Sequence, residues 1–150
     1  MVASAIVSAL HVLALSIGLP AVFLRGLALR GSLDPPAFRL LFAADSAWGV
    51  AAAMWLVTGL LRAFGGLEKG SQFYLGSNVF WLKLALFATV LALEAWPMTV
   101  LIRWRRHRRH GESPETSRAG TLYVINHVEM ILVIGIVFVA SFMARGAGAR

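Results

Sequence analysis

The chain has 150 residues, of which 59% are hydrophobic and 14% charged, with no cysteine and a formal net charge of +7. A soluble domain carries about 25% charged residues to cover its surface, so this composition excludes an ordinary soluble enzyme and a disordered tail. The missing cysteines exclude a disulfide scaffold, a thiolate metal site and a redox thiol.

A bilayer core of about 30 Å takes about 20 mostly apolar residues of helix. Four stretches meet that length: 2–24, 38–61, 78–102 and 121–144. They predict an all-α, polytopic membrane protein of one domain, a four-transmembrane-helix antiparallel bundle with the lipid bilayer as its first partner. The first stretch has no basic flank before it and is too long for a signal peptide, so it reads as a retained helix. After it, Gly26, Gly31, Pro35 and Pro36 are expected to break the helix across 25–37. The connection 63–77 holds Gly65, Gly66, Gly70 and Gly76, with Phe73 and Tyr74 as interfacial aromatics. The third connection, 103–120, is the one strongly polar segment.

Six arginines lie in that segment: Arg103, Arg105, Arg106, Arg108, Arg109 and Arg118. A basic flank on an apolar span is a topology signal before it is a nucleic-acid patch, and no nucleic-acid partner is expected. Placing this loop in the cytoplasm brings Arg25, Arg30 and Arg39 to the same side. Arg62, Lys69, Arg145 and Arg150 fall on the other, so both termini are expected outside the cytoplasm. His107 and His110, among arginines, read as hydrated surface histidines.

Six ionisable side chains fall within the spans: His11, Asp45, Lys83, Glu94, His127 and Glu129. Each costs about 2.5–3.5 kcal/mol to insert at the centre of a span. Helical rise places His11 and Lys83 in an outer layer, and Asp45, Glu94, His127 and Glu129 in an inner one. The plainest role is mutual neutralisation that pins helix order, with Glu94 reaching Arg103 or Arg105. Trp48 and Trp55, seven apart on one face, read as lipid-facing or packing bulk. Gly49, Ala52, Ala53 and Gly59 predict close helix approach, and Pro20 and Pro97 predict kinks.

The order of several elements resembles a family of bacterial four-helix membrane proteins, the domain of unknown function 2214. The matching pieces are His11, Asp45 with Trp48-Gly49, and Thr58-Gly59-Leu60-Leu61-Arg62. They continue through Phe73-Tyr74, Asn78-Val79-Phe80-Trp81-Leu82-Lys83 and Pro97, to Glu129 and Met143-Ala144-Arg145-Gly146. That resemblance implies a bacterial inner (cell) membrane location and a fold, without an activity. More distantly, the chain is similar to HemJ-type protoporphyrinogen oxidases and to CopD membrane domains, through the first-helix histidine and Trp81-Leu82-Lys83. The HemJ-type pattern has a second histidine where Glu94 stands here. The likeness implies haem b and a porphyrin-associated redox role.

Three chemistries follow from the intramembrane residues. For haem, the depths of His11 and His127 differ by roughly 8 Å, which disfavours two axial histidines. His11 alone, with Lys83 or Arg62 meeting a propionate, is easier to build. For a divalent metal, Asp45, Glu94 and His127 could converge from three helices, whereas His127 and Glu129 point apart on one helix. For proton passage, Asp45, His127 and Glu129 form a candidate relay, which needs a homo-oligomer to enclose a path. The alternative to all three is a non-catalytic subunit of a membrane complex.

Overall fold

The computed structural model describes residues 1–66 and 71–146, apart from the side chains of Ser71 and Phe73. Lys69, Gly70, Arg150 and the Phe73 ring lie outside the described residues. Five helices follow in order: α1 (Val2–Arg30), α2 (Pro35–Phe64), α3 (Ser71–Leu75), α4 (Asn78–Arg109) and α5 (Ala119–Ala144). Four of them, all but α3, are long and apolar enough to cross a membrane. The longest, α4 at 32 residues, measures about 48 Å, well beyond the bilayer core of about 30 Å. The helices therefore continue into the headgroup layers: the expected ends at 2, 78 and 144 coincide with helix ends, and the other five fall short of them.

Local chemistry sets those ends. Gly26 does not break α1: good helix formers follow it, and the helix stops only before Gly31. Asp34 then caps α2, its Oδ1 accepting the Ala37 N–H at 2.8 Å, with Pro35 and Pro36 in the first turn, where no N–H is needed. Ser77 caps α4 in the same way, through the Phe80 N–H at 3.3 Å. Most of the basic stretch, Arg103 to Arg109, is the end of α4 rather than loop. Helices α1 and α4 both run continuously through Pro20 and Pro97.

The bundle packs α2 on α1, α1 on α5 and α5 on α4, while α2 and α4 meet almost entirely through side chains. The close approach lies at Gly18, where an added Cβ would stand 3.1 Å from Ala51 Cβ; at Gly49 it would meet nothing. Two apolar cores result. One gathers Ala14, Val22, Trp48, Trp55, Val90 and Val133; the other gathers Leu29, Phe38, Leu41, Leu101, Trp104 and Leu122. Leu60, Leu82, Ile131, Phe138 and Phe142 point outward and are exposed, an apolar surface that only lipid solvates.

Candidate functional site

A polar layer separates the two cores, and each long helix contributes to it. At its centre is Arg25 of α1, 1% exposed. Its guanidinium forks onto Glu94 of α4, Nη1 to Oε1 at 2.7 Å and Nη2 to Oε2 at 2.8 Å. Nη2 also donates to Glu129 of α5, Nη1 lies 3.4 Å from Asp45 Oδ1 of α2, and Nε donates to Asn126 Oδ1 at 2.7 Å. All five N–H donors of the guanidinium are thus engaged. Only arginine offers a planar fork that meets a carboxylate in two places and still reaches three more partners.

Neighbours complete the layer. Trp48 Nε1 donates to Glu94 Oε2 at 3.0 Å, and its ring lies 6.0 Å from the Arg25 guanidinium. Asp45 is shared: Arg105, from the far end of α4, reaches its Oδ2 at 3.1 Å and the Phe42 carbonyl at 3.1 Å. Asn126 donates to the Val22 carbonyl at 2.9 Å and fills the space above Gly26, where an added Cβ would stand 2.6 Å from Asn126 Nδ2. Glycine at 26 is thus what lets α5 bring Asn126 to Arg25.

This layer corrects four expectations. Arg25 is not a cytoplasmic loop residue but an intramembrane cation, and Glu94 pairs with it rather than with Arg103 or Arg105. Trp48 is 2% exposed and Trp55 8%, so of the two readings given for this pair, packing bulk holds and lipid-facing does not. Asp45 and Glu94 converge without His127, and the guanidinium sits where a metal ion was expected. Among the described residues, no three His, Asp or Glu side chains gather to hold an ion. Asp45 and Glu129 meet the same guanidinium, so with His127 elsewhere they do not form a string across the bundle.

His127 instead donates from Nδ1 to the Tyr123 carbonyl at 2.8 Å, one turn back on its own helix, and its ring lies 4.1 Å from the Tyr123 ring. Its Cε1 is beside Gly26 on α1. That is 15 residues from His11 in the sequence, or roughly 22 Å along α1. The two histidines are further apart than the spans suggested, and they cannot ligate one iron.

The outer layer is a cleft. Because the backbones of α2 and α4 stay apart, a cavity of about 530 Å³ opens between them, closed behind by α1 and α5. His11, Arg62 and Lys83 all line it, with Trp55, Tyr74, Phe80 and Phe87 among the apolar and aromatic walls. His11 Nδ1 lies 2.8 Å from Thr58 Oγ1, and the Thr58 hydroxyl donates to the Met54 carbonyl at 2.5 Å. A hydroxyl has one proton to give. Thr58 Oγ1 must therefore accept from His11, which puts the proton on Nδ1 and the lone pair on Nε2. Trp55 Nε1 donates to the His11 carbonyl at 3.1 Å and ties this turn of α1 to α2.

Sequence reasoning missed Arg25, Asn126 and Thr58. A signal for Arg25 existed: three inner-layer carboxylates, with the only intramembrane lysine assigned to the other layer, call for a cation at their depth.

Four apolar helices around a buried ionic layer, with a cleft beside it, define a polytopic four-helix membrane protein. The chain belongs to the family described as Predicted membrane protein (DUF2214), whose model matches residues 3–148. No curated protein and no solved structure matches the chain. These comparisons therefore show no likeness to HemJ-type oxidases or CopD domains.

Proposed function

We propose that this protein binds haem b, or a closely related porphyrin carboxylate, in the cleft between α2 and α4 and takes part in redox chemistry at the membrane. One observation carries the reading: a single cavity of about 530 Å³ is lined by a histidine, two cationic side chains and aromatic walls. That volume lies in the range of small-molecule and cofactor sites, roughly 300–1,000 Å³. With Nδ1–H donated to Thr58, Nε2 of His11 is the nitrogen that would hold the iron, and a hydrogen bond on the far nitrogen is the usual support for a metal-binding imidazole. Lys83 and Arg62 suit the carboxylates of such a ligand. A haem held there would supply one-electron chemistry. The protein's part is to fix the imidazole, orient the carboxylates and exclude water with Trp55, Phe80 and Phe87.

The proposal includes a bacterial inner-membrane location with both termini outside the cytoplasm. With Arg25 moved into the bundle, eight basic residues (Arg30, Arg39 and the six from Arg103 to Arg118) remain on the loop side, against four on the other. The positive-inside rule still favours a cytoplasmic loop.

Titration of the detergent-purified protein with haemin and with metal-free protoporphyrin tests the ligand class. Saturable quenching of tryptophan fluorescence is expected with both, since Trp55 lines the cleft. Lys83→Gln and Arg62→Gln should each weaken both ligands by about tenfold, the size of a lost charge-assisted hydrogen bond. Non-saturable quenching, or variants that bind like the wild type, would remove the basis of the reading.

A further inference from the structure

The opposite end of the bundle carries a second cavity, of about 200 Å³, between the last turns of α4 and the 115–118 segment that leads into α5. Its polar lining is Arg103, His107, Glu115, Ser117 and Arg118, beside the buried Trp104. The contrast with Arg25 is instructive. Among the described residues, neither Arg103 nor Arg118 makes an ion pair or a side-chain hydrogen bond. The Arg118 guanidinium lies 6.0 Å from the Trp96 ring, a contact that holds it in place without using its N–H donors. Glu115, the one carboxylate in the lining, accepts from the Ser117 hydroxyl at 2.8 Å. His107 Nδ1 is 3.9 Å from Glu112 Oε2, too far for a hydrogen bond.

Two guanidinium forks therefore border one small polar cavity and face a single carboxylate. The missing partner is an anion that accepts several N–H bonds at once, which is the chemistry of a phosphate ester. Depth indicates what carries it. Helix α4 runs about 48 Å, so its last turns stand past a core of about 30 Å and among lipid headgroups. Val100 supplies an apolar part of the lining, and Ile102, next to Arg103 in the chain, is 58% exposed, an apolar side chain available to an acyl chain.

We infer that this cavity is a binding site for the phosphate of an anionic phospholipid. Basic pockets between transmembrane helices at the headgroup level recognise lipids in this way. The site is independent of the cleft, and its test does not involve porphyrin.

The experiment is native mass spectrometry of the full-length protein in non-ionic detergent, with phosphatidylglycerol, phosphatidylcholine or inorganic phosphate added. Phosphatidylglycerol should be retained at a concentration about tenfold lower than phosphatidylcholine, as two basic residues at about 1 kcal/mol each would give or exceed. The Arg103→Gln/Arg118→Gln double variant should lose that preference. Arg106→Gln, an exposed arginine outside the lining, should keep it. Glu115→Gln, which removes the competing carboxylate, should tighten retention severalfold, and it decides the matter if the double variant fails to fold. Equal retention of the two lipids overturns the assignment, as does an equal loss in Arg106→Gln or no gain in Glu115→Gln. Inorganic phosphate bound as well as phosphatidylglycerol would make the ligand free phosphate and overturn the lipid assignment.

Discussion

Arg25→Leu is expected to destabilise the protein by about 3–5 kcal/mol, the usual cost of removing one partner from a buried ionic network. The arginine is nearly fully buried, and its loss would leave Glu94, Glu129 and the Asn126 carbonyl oxygen without their common donor. Asp45 would keep Arg105. A charge left unpaired in a bilayer interior has no water to turn to. Thermal unfolding in mild detergent and the yield of membrane-inserted protein are the readouts. Arg25→Lys should fall between wild type and Arg25→Leu, because it restores the charge but not the fork. Removing the carboxylates together with the cation, as in Arg25→Leu/Glu94→Leu/Glu129→Leu, should recover much of the loss, since an apolar replacement of a whole buried pair is often neutral. An Arg25→Leu protein that melts with the wild type would show that the layer contributes nothing to holding the helices. The consequence for function is positional: the four contributing helices meet at one guanidinium, and this sets the register that leaves α2 and α4 apart at the cleft.

His11→Ala should abolish ligation of iron porphyrin and bring its affinity down to that of metal-free protoporphyrin, which should stay bound within about threefold, because the apolar walls and the two cations remain after the imidazole is gone. That split separates ligation from simple uptake of a flat apolar molecule, which would weaken both ligands alike. Thr58→Val gives the finer test. It keeps the shape of the side chain but removes the oxygen that accepts the His11 Nδ1 proton, freeing the ring to rotate and to change tautomer. Loss of such an outer partner typically costs about 10–100-fold in metal affinity. Haemin affinity should fall by that order in Thr58→Val, with metal-free protoporphyrin unmoved. Equal losses for the two ligands in either variant would argue against an axial role for His11.

Much of this architecture can be read from the amino-acid sequence, because lipid permits few solutions. Apolar runs of sufficient length, with Pro35 and Pro36 after Asp34 and a basic segment before the last run, leave little but an antiparallel helical bundle. The sorting of His11 with Lys83, and of Asp45 with Glu94 and Glu129, also follows from rise per residue alone, and the structure groups them so. What rise per residue cannot show is rotation about each helix axis and the true helix ends. A span cut to the bilayer's thickness stops before Arg25 and leaves it in a loop, yet α1 continues for another turn and a half. His127 does lie at the depth of the inner layer, its Cε1 beside Gly26, but its ring turns back to the Tyr123 carbonyl instead of toward Asp45 and Glu94. Trp48 and Trp55 could be placed on a common face, but nothing in their spacing says that the face looks inward onto Glu94 and His11. Thr58 could not be singled out, since its role depends on which helix lies opposite.

The visible absorption spectrum of the full-length protein, purified in mild detergent from haem-replete cells, tests the central claim most directly. The account predicts a Soret band in the wild type that is lost in His11→Ala, while Arg106→Gln keeps it. Colourless wild-type protein, or a band that survives in His11→Ala, would contradict it.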